Sequence, residues 1–181
     1  VPVRPLLLAL TILAAQAAAA ESLLLTAAQL LDIRDGSLID DAAVLVEDGR
    51  IAAVGTRNAV EAPAGARRLD LPGATLLPGL IDMHVHLTSS PDYHGFHRLA
   101  LSDERKAIQG VVHAERTLYA GFTTARNVGA GSYGDVALRD AINAGEVPGP
   151  RLFVSGPPVG ITGGHCSDNN LLPAEYGLEG E

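Results

Sequence analysis

The 181-residue chain has one cysteine, one methionine and no tryptophan, and aromatic residues make up only 4% of it. A lone cysteine closes no internal disulfide, so stability has to come from a packed core or a bound metal. Cations are scarce too: 13 Lys and Arg stand against 21 Asp and Glu, for a formal charge of −8, which excludes the basic footprint of a nucleic-acid binder. Lys106 is the single lysine. Apolar residues, by contrast, are 47% of the chain, too many for a disordered segment. The length suits one domain or two small ones.

Residues 1–20 read as a secretory leader, with Arg4 in a short n-region, about ten apolar residues after it, and a small-residue zone of alanines for cleavage. The apolar core is shorter than the roughly 20 residues a membrane span needs. No cysteine follows it to carry a lipid. The expectation is an exported protein, periplasmic or secreted, with no stable membrane anchor. A competing reading is an Ala/Leu-rich helix packed on the domain. Cleavage after Ala20 leaves 161 residues.

From Glu21 to about Leu71 the pattern is short strands and tight turns. Residues 43–47 and 50–55 flank Asp48-Gly49, a dipeptide suited to the positive φ angles of a type I′ hairpin turn. Asp35-Gly36 and Pro72-Gly73 punctuate in the same way. After Pro78-Gly79 strands and helices alternate. Strands are expected at 80–87, 122–128 and 152–154. A helix is expected over 102–120, capped by Ser102, with an apolar stripe at Ile108, Val111, Val112 and Leu118, and stopped by Gly121. A second begins at Asp135 as cap and ends at Gly145. A β-α-β-α-β run implies parallel strands joined by crossover helices.

The chemistry is concentrated in Asp82-Met83-His84-Val85-His86. Apolar residues take the odd positions 81, 83, 85 and 87, and Asp82, His84 and His86 take the even ones. In a strand both imidazoles then face the same way, with the apolar set packed under helices. Two imidazoles on one face can share one metal ion, at about 2.0–2.1 Å from nitrogen to zinc. In parallel α/β folds the carboxyl ends of the strands face the ligand, and both histidines lie at that end. The bland alternative is a pair of solvated or structural histidines.

The stretch from Leu76-Leu77-Pro78-Gly79 through His86 resembles the opening of the amidohydrolase superfamily. So do the preceding Glu47–Gly55 hairpin and Leu69-Asp70-Leu71-Pro72-Gly73. Further matches are Gly121-Phe122-Thr123-Thr124-Ala125-Arg126, Leu138-Arg139-Asp140-Ala141-Ile142, and Gly149-Pro150-Arg151-Leu152 ahead of Ile161-Thr162-Gly163-Gly164-His165. The ordered set is similar to the branch of imidazolonepropionase-like enzymes and metal-dependent prolidases (Xaa-Pro dipeptidases). The resemblance implies an α/β fold, the N-terminal part of a (β/α)₈ TIM-type barrel of about three strands, with a small β-sandwich segment beside it. Its divisions are 1–20 signal peptide, 21–76 β-sandwich segment and 77–181 barrel part. It implies one or two divalent metal ions, zinc above all, held first by His84 and His86. A water activated there attacks an amide or peptide C–N bond of a small molecule or dipeptide. It also places His165 at the barrel mouth as a substrate contact.

The family's later ligands, a lysine in two-metal members, two histidines and an Asp that shuttles the proton, have no counterpart. A full barrel takes about 250 residues, and 77–181 supplies 105. Lys106 falls mid-helix and reads as solvated. No catalytic residue is therefore assigned within these residues, and the chain is expected to be the first part of a longer protein, inactive alone. Alternatives are a cyclic-amide hydrolase of the imidazolonepropionase kind, or a non-catalytic remnant that binds metal weakly. Three strands of an open barrel leave an unpaired edge, which invites homo-oligomers. His94 and His97, in the polar loop 88–97, read as surface residues, with lining of the mouth the alternative, and His113 reads as exposed on its helix. Cys166 reads as a small residue beside the mouth, and Asn127 as the loss of a charge beside Arg126.

Overall fold

The computed structural model describes residues 22–93, 95–161 and 164–166. The leader-like segment, His94, Thr162 and Gly163 lie outside the described residues. The chain divides into two compact units between Pro78 and Gly79. No helix of the described residues is long and apolar enough to cross a membrane.

The first unit is one mixed four-stranded sheet. Its strands are β1 (Ser22–Leu31), β2 (Leu38–Glu47), β3 (Arg50–Thr56) and β4 (Arg67–Leu76), in the order β3-β2-β1-β4. β1 runs antiparallel to β2 and parallel to β4, and β2 runs antiparallel to β3. The β2–β3 turn is the one the sequence announces: Glu47 pairs with Arg50, while Asp48 (φ 50°) and Gly49 (φ 71°) supply the two left-handed residues. Three strands run to ten residues, longer than the short strands expected. Pro72-Gly73 does not end a strand. The β1–β4 register slips between Ala27 and Gln29 opposite Leu71 and Thr75, so the dipeptide forms a bulge inside β4, with Gly73 at φ 81°. A bulge is a place in a sheet where proline's missing N–H does no harm. Leu24, Ala43, Leu45 and Val60 form the core of this unit.

The second unit carries β5 (Leu80–Val85), α1 (Asp103–Tyr119), β6 (Phe122–Asn127), α2 (Gly134–Asn143) and β7 (Arg151–Val154). The strands form a parallel sheet in the order β5-β6-β7, as the alternating pattern requires. Ser102 caps α1, its Oγ accepting the Arg105 N–H at 3.3 Å, and Asp103 and Glu104 occupy the positive end of the helix. The core joins Leu87, Ala114, Ala125, Leu138 and Leu152, with Val85, Val111 and Ile142 packed against it. The buried face of α1 is thus Gly110, Val111 and Ala114, so Val111 of the expected stripe faces the core while two of its other members do not. Ile108 is 58% exposed and Val112 41% exposed. Small residues bring the helix close to its neighbours, which bulkier ones would hold away.

α2 begins differently from its sequence reading. Its cap position is Tyr133 (φ 54°), preceded by Ser132 (φ 51°), and no side chain caps the helix. Asp135 lies inside the first turn and is fully buried. Consecutive left-handed residues turn the chain sharply into α2, and this carries Asp135 inward instead of leaving it at the helix end.

Candidate functional site

The alternation along β5 holds at its carboxyl end and fails at its start. Val85 and Leu87 reach the core, while Ile81 and Met83 are 61% and 54% exposed. These two were expected to pack under helices. β5 is an edge strand among the described residues, paired with β6, and the first half of that face is open. The β5–β6 register also shifts between Asp82 and Val85, opposite Ala125 and Asn127, placing a bulge at Met83-His84. Arg126 reaches back across it, its Nε donating to the Met83 carbonyl at 2.7 Å.

His84 and His86 come together despite the bulge. Their ring centres are 5.4 Å apart with the planes at 68°. Two imidazoles held by one zinc at a tetrahedral angle have centres about 5.2 Å apart, a spacing close to that of this pair. The His84 N–H donates to Asp82 Oδ1 at 3.0 Å. His86 Nδ1 lies 3.2 Å from the Gly129 carbonyl oxygen, a partner that can only accept. Among the described residues no group of three or more His, Cys, Asp or Glu comes together to hold a metal.

A buried polar network underlies this strand end. Asn127, at the end of β6, is fully buried. Its Oδ1 accepts the Leu87 N–H at 2.8 Å. Its Nδ2 donates to the Gly129 carbonyl and to Asp135 Oδ2, each at 3.1 Å. Asp135 Oδ2 also accepts the Gly156 N–H at 3.1 Å, and Oδ1 accepts the Val136 N–H at 2.9 Å. Three strand ends and the start of α2 are thereby tied together. Reading Asn127 as a lost charge beside Arg126 was mistaken, because the two side chains lie on opposite faces of β6 and Arg126 is occupied at Met83. The signal available in sequence was parity: Asn127 shares the Thr123–Ala125 face, the helix side, where a polar residue needs partners.

The other histidines separate. His113 is half-buried rather than on the surface, and its Nδ1 donates to the Leu87 carbonyl at 2.8 Å, pinning α1 to the end of β5. His97 is exposed in a short 3₁₀ turn. His165 and Cys166 are both exposed, in a turn that follows the apolar and open Val159 and Ile161. Lys106 keeps its helical reading, with Nζ 3.0 Å from Asp103 Oδ1 one turn away.

A parallel sheet with crossover helices, bearing imidazoles at its carboxyl end, defines an α/β protein with a ligand face of the barrel type. The amidohydrolase family profile matches residues 75–178, more than half of the chain, and the chain belongs to that family. It is 34% identical over 160 residues to imidazolonepropionase of Salinispora tropica, covering 75% of this chain and 36% of that relative. It is 33% identical over 148 residues to ochratoxinase of Aspergillus niger, covering 77% of this chain and 29% of the relative. A crystal structure of a Xaa-Pro dipeptidase with methionine bound in its active site superposes with a TM-score of 0.74 at 30% identity, over 86% of this chain and 38% of that one. The chain therefore spans about a third of the length of these relatives. Its parallel sheet is the N-terminal part of a (β/α)₈ barrel.

Proposed function

We propose that the protein is the N-terminal part of an exported, metal-dependent hydrolase of C–N bonds, acting on small amides or dipeptides. Residues 1–20 are its signal peptide, 21–76 the β segment and 77–181 the opening of the catalytic barrel. One observation supports the chemistry: the rings of His84 and His86 lie side by side at the carboxyl end of β5, their centres 5.4 Å apart. They would hold the first divalent ion, zinc by the donor type. Such an ion supplies a Lewis acid for the scissile carbonyl and lowers the pKa of water towards about 7. The chain's own residues set the geometry. Asp82 fixes the backbone before His84, and Arg126 holds the Met83 carbonyl at the bulge. His165 contacts substrate at the mouth.

Dipeptidase action is favoured by the Xaa-Pro dipeptidase structure, and cyclic-amide hydrolysis by the imidazolonepropionase relatives. The remaining ligands and the proton-shuttling Asp belong to residues beyond these, so the 181-residue chain is inactive alone and its open sheet edges favour self-association. The test pairs two measurements on the purified chain. Zinc binding by chelator competition is expected to disappear in the double variant His84→Ala/His86→Ala, while turnover of Xaa-Pro dipeptides with added zinc is absent throughout. Unchanged zinc binding in the double variant rules out the ligand assignment. Turnover that the double variant abolishes rules out the incompleteness.

A further inference from the structure

We propose that Asn127 and Asp135 are positioning residues for His86, fixing which ring nitrogen it offers to a cation. This rests on reading His86 as a ligand. The Gly129 carbonyl accepts at His86 Nδ1, so the ring carries its proton there and keeps the Nε2 lone pair free. That carbonyl is held in place on its other side by Asn127 Nδ2. The ring also stands close to the residue: a Cβ built at Gly129 would lie 3.5 Å from His86 Cε1.

The amide of Asn127 has only one orientation available. Leu87 N–H is a donor and must meet Oδ1, while Asp135 Oδ2 and the Gly129 carbonyl are acceptors and must meet the two hydrogens of Nδ2. Asp135 is anchored in turn by the Gly156 and Val136 N–H groups. Both side chains are fully buried, so water does not compete for these bonds. A chain of hydrogen bonds thus runs from the start of α2 and the end of β7 to the imidazole. An ionised aspartate at 127 could serve Leu87 but neither of the other partners.

The experiment uses ¹⁵N-labelled, metal-free protein, with long-range ¹⁵N–¹H correlation reporting the tautomer of the neutral His86 ring. Wild type is expected to show the Nδ1–H form. In Asn127→Ala and Asp135→Asn the Nε2–H form grows in, and zinc affinity by chelator competition falls about 10- to 100-fold. Leu138→Ala, which loosens the core without touching the network, is expected to leave both readouts unchanged. Wild type already in the Nε2–H form overturns the proposal whether or not the variants fold, as does a folded Asn127→Ala with wild-type tautomer and affinity. Zinc binding that survives His84→Ala/His86→Ala instead refutes the ligand reading, with the tautomer result standing by itself.

Discussion

Replacing Asn127 by Asp changes one atom type in a fully buried side chain, and its cost follows from the distances. The new oxygen takes the place of Nδ2, 3.1 Å from Asp135 Oδ2. At that separation two carboxylates repel by about 5 kcal/mol for an effective dielectric of about 20. Keeping one carboxyl of ordinary value about 3.9 protonated at pH 7 costs about 4 kcal/mol. The smaller cost wins, so the folded variant takes up a proton. That proton can serve Asp135 or the Gly129 carbonyl but not both, which adds about 1 kcal/mol at any pH. The folded variant then holds a proton that the unfolded chain has released, and its stability falls as pH rises, by about 1.4 kcal/mol per unit between about pH 4 and 7. Relative to wild type the deficit is about 1 kcal/mol near pH 4 and about 5 kcal/mol at pH 7, comparable to the whole stability of many small domains. Urea unfolding followed by circular dichroism across this range measures it. A deficit that is flat with pH, or stays below about 1 kcal/mol at pH 7, refutes the reasoning.

Two further outcomes rest on other contacts. A Cβ at Gly79 would overlap the Thr123 side chain, lying 2.6 Å from its Cβ and closer still to its hydroxyl and methyl. Gly79→Ala is therefore expected to cost about 1–3 kcal/mol in urea unfolding, and adding Thr123→Gly to recover most of it; strictly additive losses would show that the overlap is relieved elsewhere. The Ser132 hydroxyl and the Lys106 ammonium, at 2.5 and 3.0 Å, hold the Asp103 carboxyl below its usual range. Its contribution is complete above the ordinary value near 4 and is lost as pH falls through the depressed one, so Asp103→Asn flattens that part of the acid unfolding curve. The effect stays below about 1 kcal/mol because the carboxyl is largely exposed.

Much of the fold was legible because local chemistry decides it. Asp48-Gly49 forms its hairpin turn, Ser102 caps α1, and the strand–helix alternation after Pro78-Gly79 yields a parallel sheet. The misreadings share a cause. Asp135 has the residue type of a cap and Asn127 looks like a missing charge. Yet each meets partners far along the chain, Gly156 and Leu87 among them, which no local pattern reveals. Pro72-Gly73 has the composition of a turn, and only the neighbouring β1 makes it a bulge. On α1 the stripe holds at Val111 and fails at Ile108 and Val112, because hydrophobicity favours those two whereas close approach favours Gly110 and Ala114.

Sequence alone determined the family, the hairpin, the order of strands and helices, and the pair of imidazoles at one strand end, His84 inside β5 and His86 just past it. Tertiary structure decided how that pair is held. The bulge at Met83-His84, the Arg126 contact across it, and the Asn127–Asp135–Gly129 network exist only once β5, β6, β7 and α2 lie side by side. Hydrogen bonds between buried groups are directional and unforgiving of a missing partner, so the orientation of His86 belongs to the packed unit rather than to the strand it follows.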